Sequence, residues 1–472
     1  MTFAASRFNV RVPLPSRDEV FLMNTLTDAQ LIVSADVAAL LDGASGAPVD
    51  VDALSIQARQ AAATLAEHGF LVESRDAESR AVDQYFASVR EDRHQLRVTV
   101  LTTLQCNFAC DYCYQGDFDD HGRLAPKMSM ATAEQTAGWI EAKLDEIQPR
   151  SFALTFFGGE PLLNQPVMFY LAERLWQATQ ARGVEMFVNL ITNGLLLTPE
   201  IVDRLTPCGL TGVKVTLDGD RETHDHFRPL RGGQGTFDRI IENLRRIAGH
   251  CRIAIGGNFD VSTADRYPAL LDFLREQDFA GAIAKVSFKP VIKPAASRTP
   301  GSGGVIPLTA VGGNGQPLGG ACMTTAGAGA SVCDTCHFVD EKLAFLRDET
   351  RKRGFATIDG VHMGPCEIHR RHAYTIGPDG SLYACPGFSG EAALSTGHID
   401  GRVEAWRRRA AERFDRVAAW KACGDCAFVP VCGGGCSTAA HVELGDLNQP
   451  SCHKASFEAG VMWLAAEALA SA

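Results

Sequence analysis

The chain has 472 residues, 46% of them hydrophobic, a formal net charge of −11 and 15 cysteines. That length supports about three domains with an ample core, the acidic balance carries no nucleic-acid footprint, and no uninterrupted apolar run of about eighteen residues marks a membrane span. Met1–Leu14 holds Arg7 and Arg11 but no apolar stretch, so no export signal is expected; the cysteines then read as metal ligands in a reducing cytoplasm, not as disulfides.

In residues 1–92, Phe8 to Pro13 and Glu19 to Thr27 read as strands joined by a turn at Pro15-Ser16-Arg17-Asp18, with a third short strand at Gln30 to Ser34. Ser34 or Asp36 can cap a helix through Val37, Leu40 and Leu41 that ends at Gly43. A second helix is expected from Val51 to His68, stopped by Gly69, then a strand at Phe70-Leu71-Val72. Small strands followed by helices make a winged-helix-like module. The order resembles the leader-peptide recognition domain of maturases that act on ribosomally made peptides, which binds an extended peptide as an extra strand. A small docking domain is the alternative.

From residue 93 to 292 strands and helices alternate. Strands are predicted at Arg97–Thr103, Phe152–Phe157, Met186–Thr192, Val213–Leu217, Arg252–Gly256 and Lys285–Val291. Helical periodicity links Ala137, Ile140, Leu144 and Ile147; Phe237, Ile240, Ile241, Leu244 and Ile247; and Leu270, Leu271 and Leu274. This is an α/β pattern with a parallel sheet, whose functional loops gather at strand carboxyl ends. Cys106, Cys110 and Cys113, spaced C-x3-C-x2-C, follow the first strand; Gly158-Gly159-Glu160-Pro161 follows the second; Ile191-Thr192-Asn193-Gly194 and Thr216-Leu217-Asp218-Gly219 end the third and fourth; Asn258 and Asp260 follow the fifth. Three thiolates on one loop can hold three corners of an iron–sulfur cube and leave the fourth iron open to a small molecule. A zinc loop or three unrelated thiols is the alternative, although the spacing is unusual for zinc. Tyr112 offers a flat face that can pack an adenine.

The cysteine triad with an aromatic before its last member, together with the Gly-Gly-Glu-Pro tip, resembles the radical S-adenosylmethionine (SAM) superfamily. The resemblance implies a partial (β/α)6 barrel, a [4Fe–4S] cluster on Cys106, Cys110 and Cys113, and SAM chelating the open iron. It implies that Gly158, Gly159 and Glu160 receive the methionyl amine, the carboxylate suiting an ammonium. Thr192, Asn193, Thr216 and Arg228 sit where the family contacts ribose or carboxylate; a surface salt bridge is the alternative for Arg228.

Residues 293–337 are rich in glycine and read as a flexible insertion, either a floppy linker or a flap over bound peptide. A helix is expected from Phe338 to Arg353, opening a last unit, 338–472. There Cys366 and Cys385 precede Cys423-x2-Cys426-x5-Cys432-x3-Cys436 and Cys452. The spacing resembles the seven-cysteine SPASM domain, which holds two auxiliary [4Fe–4S] clusters. By that resemblance Cys423, Cys426, Cys432 and Cys452 hold the outer cluster, and Cys366, Cys385 and Cys436 the inner one. The family's further thiol just before Cys366 is missing, since Asp359 to Pro365 offers only His362. Cys333 or Cys336 can fold back as that ligand, the iron can stay open to a substrate thiolate, or these two with Cys322 can serve as unrelated redox thiols. Cys208 and Cys251 read as ordinary buried thiols.

The resemblance implies three [4Fe–4S] clusters, SAM, and an external electron donor of flavodoxin or ferredoxin type. The substrate is expected to be a precursor peptide with a leader, and the product an intramolecular thioether, C–C or C–O crosslink. A small-molecule substrate, a non-catalytic electron-transfer protein and an anaerobic sulfatase maturase stay open; the last resembles this chain less because Pro386 and Gly387, not an aspartate, follow Cys385. No acid–base residue stands out in the sequence, and the catalytic residue is left unassigned; Tyr383, His362 and Asp379 are the nearest candidates.

Overall fold

The structure is a computed structural model that describes all residues except 1, 15–16, 47, 114, 116–124, 261, 293–309, 312–316, 319–333, 363, 403 and 472. Cys322 and Cys333, the side chain of Cys336 and most of the expected glycine-rich insertion lie outside the described residues.

The chain opens with β1 (Thr2–Ala5), followed by an antiparallel meander of β2 (Asn9–Leu14), β3 (Glu19–Asn24) and β4 (Ala29–Ser34). Helix α1 spans Ala35–Gly46 and runs through Gly43, so that glycine does not end it; the buried Leu41 and Ala44 outweigh the roughly 1 kcal/mol cost of a helical glycine. After a short β5 (Val49–Asp50), α2 (Ile56–Glu67) starts later than the expected Val51, because Ser55 caps it by accepting from the Ala58 amide. Then β6 (Leu71–Val72) pairs with β1, and α3 (Arg75–Glu91), which the sequence reading did not foresee, is capped by Ser74. One face of the meander covers this unit's own core, with Leu22 against Leu41, Leu65 and Phe70. The other face is also buried: Leu14, Phe21 and Met23 share a core with Val461 and Ala465 of the last helix, α14 (Lys454–Ser471).

Six parallel strands follow: β7 (Gln95–Leu101), β8 (Ser151–Phe157), β9 (Glu185–Thr192), β10 (Leu210–Thr216), β11 (Ile253–Phe259) and β12 (Ile283–Pro290). On β10, Val213 and Val215 enter the core under α4 (Met130–Ile147), α5 (Gln165–Gln180), α6 (Pro199–Leu205), α8 (Phe237–Ile247) and α9 (Tyr267–Arg275), while Lys214 and Thr216 take the opposite, half-buried face. Between α6 and α8, the short α7 (Arg221–Phe227) follows β10.

Beyond this barrel come a two-residue pair, β13 (Ala310–Val311) with β14 (Pro317–Leu318), and α10 (Asp334–Lys352). Then β15 (Ala373–Ile376) pairs parallel to β7, and β16 (Ser381–Tyr383) and β17 (Gly397–His398) continue antiparallel. The sheet order is therefore β12-β11-β10-β9-β8-β7-β15-β16-β17. The cysteine-rich segment is stitched onto the barrel's first strand, an arrangement absent from the sequence reading. Among the described residues no helix is long and apolar enough to cross a membrane.

Candidate functional site

The loop after β7 is shaped by its neighbours. Phe108 is buried and bridges to Leu230, and the Ala109 amide donates to Pro229 O at 2.9 Å. The Gly159 amide donates to Thr103 O at 2.9 Å and the Glu160 amide to Gln105 O at 2.8 Å. The approach demands glycine: a Cβ on Gly159 would meet Gln105 O at 2.2 Å, and Gly158 sits at φ +128° with a Cβ position 2.3 Å from Thr103 O. The Gly-Gly-Glu-Pro turn and the cysteine loop thus form one surface. Asn193 joins it by donating from Nδ2 to Asn107 Oδ1 at 2.7 Å.

The thiols of Cys106, Cys110 and Cys113 lie close enough to perturb one another. Burial pushes Cys106 up to about 12 and Cys110 up to about 11, with the Arg228 cation pulling Cys110 the other way. Bare, these groups stay protonated; a cationic metal centre is what holds such sulfurs as thiolates. The Phe108 amide already points at Cys106 Sγ, 3.5 Å away. Among the described residues no three His, Cys, Asp or Glu side chains close on a single ion, whereas cluster thiols each address a different iron and sit farther apart. Three thiols, a glycine cradle and one surface fit a [4Fe–4S] cluster with SAM beside it.

Glu160 is fully buried. Its Oε1 accepts from the Leu162 amide at 3.0 Å and from Thr192 Oγ1 at 2.8 Å, and its Oε2 from the Asn193 amide at 2.8 Å. Burial pushes this carboxyl above its ordinary range, and these donors oppose the shift. Two of the three are amides that can only donate, so the ionised form is the one that satisfies them. The side chain also ties the end of β9 to the Gly-Gly-Glu-Pro turn.

Arg228 is also buried, and its Nε has no partner among the described residues. Its guanidinium donates to Tyr112 Oη, pairs with Asp218 at 3.5 Å and stands 5.6 Å from the centre of the Phe108 ring. It is not a surface salt bridge. Tyr112 donates in turn to Asp218 and accepts from Asn258 Nδ2 at 3.2 Å. Asp218 Oδ1 accepts from the Asn258 amide at 2.7 Å, and its own amide donates to His224 Nδ1 at 3.2 Å. His224 Nε2 then donates to Thr236 Oγ1 at 3.0 Å, whose hydroxyl donates to Arg228 O at 2.9 Å. Asp218 and Asn258 show in the sequence only as polar residues at strand tips, and His224, inside α7, carries no signal there. Thr216 lies on the inner face of β10, in register with Gly256.

The C-terminal cysteines fall into two sets. Cys423, Cys426, Cys432 and Cys452 perturb one another, as do Cys366, Cys385 and Cys436. Burial pushes Cys385, Cys423 and Cys432 up to about 12. Amides of Gly387 and Ala439 point at Cys385 Sγ and Cys436 Sγ from 3.4 and 3.5 Å, as donors to cluster sulfurs do. Cys208 is buried and Cys251 half-buried. Asp379 accepts from the Ser381 amide and hydroxyl, His362 pairs with Asp359 and Asp28 at the seam with the N-terminal sheet, and Tyr383 packs in an apolar cluster with Phe388 and Phe414.

Residues 100–258 match the Radical SAM superfamily family model. The chain is 28% identical over 207 residues to the Fe-coproporphyrin III synthase of Methanosarcina barkeri, covering 42% of this chain and 46% of that protein. It is 29% identical over 145 residues to the serine-type anaerobic sulfatase-maturating enzyme of Bacteroides thetaiotaomicron, covering 31% and 34%. The chain thus spans less than half the length of these curated relatives. Its fold is shared with native anSMEcpe with bound AdoMet, at 15% identity and a TM-score of 0.55, over 80% of this chain and 99% of that one. The matched segment runs from within β7 to Asn258 and holds the cysteine triad, the Gly-Gly-Glu-Pro turn and the Tyr112–Asp218–Arg228 network. Residues 100–258 are therefore a radical SAM domain.

Proposed function

We propose that this enzyme is a SPASM-type maturase that takes a hydrogen atom from a ribosomally made precursor peptide and leaves an intramolecular crosslink, with two auxiliary clusters besides the one at the barrel mouth. Cys106, Cys110 and Cys113 would hold the catalytic [4Fe–4S] cluster. When bound and reduced by one electron from an external donor, that centre supplies reductive cleavage of SAM to methionine and a 5′-deoxyadenosyl radical. The chain's own residues seat the reactants. The Gly158–Gly159 backbone would take the methionyl amine, and Arg228 offers its spare Nε to the carboxylate. Tyr112, held by Asp218 and Asn258, would line the adenine, and Thr192, Asn193 and Thr216 the ribose side. The partial barrel shields the reacting atoms from water.

The observation that carries the reading is the union of the Gly-Gly-Glu-Pro turn with the cysteine loop at 2.8–2.9 Å. The sorting of seven C-terminal thiols into four and three supports the auxiliary clusters. For the peptide, β4 pairs with β3 alone among the described residues, an edge to which a leader can add as a strand; anSMEcpe has also been solved with AdoMet and a peptide bound. Full-length protein, reconstituted and reduced anaerobically with SAM, should release 5′-deoxyadenosine. A co-expressed precursor should lose about 2 Da per crosslink. Absence of 5′-deoxyadenosine with substrate present sinks the reading. A small-molecule substrate is the second reading, favoured by relatives named Fe-coproporphyrin III synthase and AdoMet-dependent heme synthase.

A further inference from the structure

The inner face of the barrel carries charges that the site described above does not use. On β10, β11 and β12 the residues opposite the helical layer run in cross-strand rows. Lys214 is in register with Ala254 and Ala254 with Lys285; one row on, Thr216 meets Gly256 and Gly256 meets Ser287; in the next, Asn258 meets Lys289. Three lysines therefore share one wall. Adjacent strands lie about 4.8 Å apart, so the Lys214 and Lys285 backbones are about 10 Å apart, within the joint reach of two lysine side chains.

None of the three forms an ion pair or hydrogen bond among the described residues, in a protein whose net charge is −11. Lys214 is half-buried, and its Cε lies 2.6 Å from where a Cβ on Gly256 would stand, so the missing side chain at 256 is what lets it cross β11 towards β12. Burial pushes its ammonium down to about 8, and Lys289 and Lys285 push it further in the same direction. Like charges gathered on one wall repel one another, so the wall is electrostatically incomplete. Lys285 and Lys289 are exposed and open to a ligand. Lys289 also acts on the Cys366 thiol, while Asn258, its register partner, donates to Tyr112. The wall thus lies between the SAM-side network and the three-cysteine set.

We propose that Lys214, Lys285 and Lys289 bind a carboxylate-bearing part of the substrate on the inner face of β10–β12, which rests on the reading of the barrel as the substrate chamber. An ammonium trio suits carboxylates, and an anion held there would present its neighbouring C–H bonds to the barrel mouth.

The test uses the full-length reconstituted enzyme with SAM and measures binding of hexaglutamate, hexaglutamine and citrate by calorimetry. Lys214→Met and the double variant Lys285→Gln/Lys289→Gln should each weaken hexaglutamate binding at least about tenfold, and Lys214→Arg should retain it. The double variant changes only exposed side chains, so it stays informative if Lys214→Met fails to fold. If citrate alone shows this lysine dependence, the carboxylates belong to a small molecule and the wall stands. Hexaglutamine binding as well as hexaglutamate, or affinities indifferent to the lysines, would overturn it. Wild-type SAM cleavage is followed in parallel. Cleavage with lysine-independent binding removes only the wall, whereas no cleavage removes the radical reading itself.

Discussion

Replacing Glu160 separates two roles that a carboxylate in this turn can play. Its oxygens accept from the Leu162 amide, Thr192 Oγ1 and the Asn193 amide, at 3.0, 2.8 and 2.8 Å, with no exposure to solvent. Glutamine keeps the shape but turns one acceptor into a donor. Its cheapest placement sets the new NH2 against the Asn193 amide and orphans one buried N–H, at about 1–3 kcal/mol. Alanine orphans all three donors, at about 3 kcal/mol or more. Because the carboxylate joins β9 to the turn proposed to seat SAM, loss of stability and loss of SAM affinity should come together. Glu160→Gln should lower the denaturant midpoint and raise the SAM Kd about 5- to 150-fold, with Glu160→Ala worse in both. The assays are anaerobic urea unfolding and equilibrium dialysis with labelled SAM. A Glu160→Gln enzyme with unchanged stability but weakened SAM binding would refute the tie and restore direct contact with the ammonium.

Cys110→Ala should abolish SAM cleavage and remove about four irons per chain; retained 5′-deoxyadenosine formation contradicts the ligand assignment. Cys432→Ala should also remove about four irons but keep the electron paramagnetic signature of the SAM-bound cluster, and loss of that signal would merge the two sites. His224 is held neutral by burial, well below its ordinary value near 6.5, whereas the unfolded chain takes up a proton below that pH. The unfolded state therefore binds more protons there, and stability falls as the pH drops, by up to about 1.4 kcal/mol per pH unit. Unfolding midpoints between about pH 5 and 6.5 should slope less in His224→Gln, and an unaltered slope would assign the effect elsewhere. Ala465→Asp places a carboxylate against Phe21 and Met23 and should cost about 3 kcal/mol or more; an unshifted melting temperature would show that the seam does not contribute.

Local pattern told much of this molecule and distance hid the remainder. The barrel strands announce themselves by β-rich runs that end in polar or glycine-rich tips. The end of β11 was misread at Gly256, because paired glycines imitate a turn; the strand runs on to Phe259, and a Cβ on Gly257 would meet Leu217 O at 2.5 Å, so the glycine marks crowding. Asp218 and Asn258 gain their roles only when β10, β11 and the cysteine loop meet, and nothing at their own positions encodes that. Pairing of β15 with β7 joins residues far apart in the chain, which no local period reveals. Likewise α14 is apolar on most sides, so it carries no stripe to name its partner.

That last helix has a consequence for how the protein is made. Leu14, Phe21 and Met23 are synthesised long before Val461 and Ala465, which cover them. A nascent chain on the ribosome carries an unfinished greasy surface until α14 emerges. Removing one or two turns of that helix should therefore be felt at the distant N-terminal sheet, as a sticky, poorly yielding product.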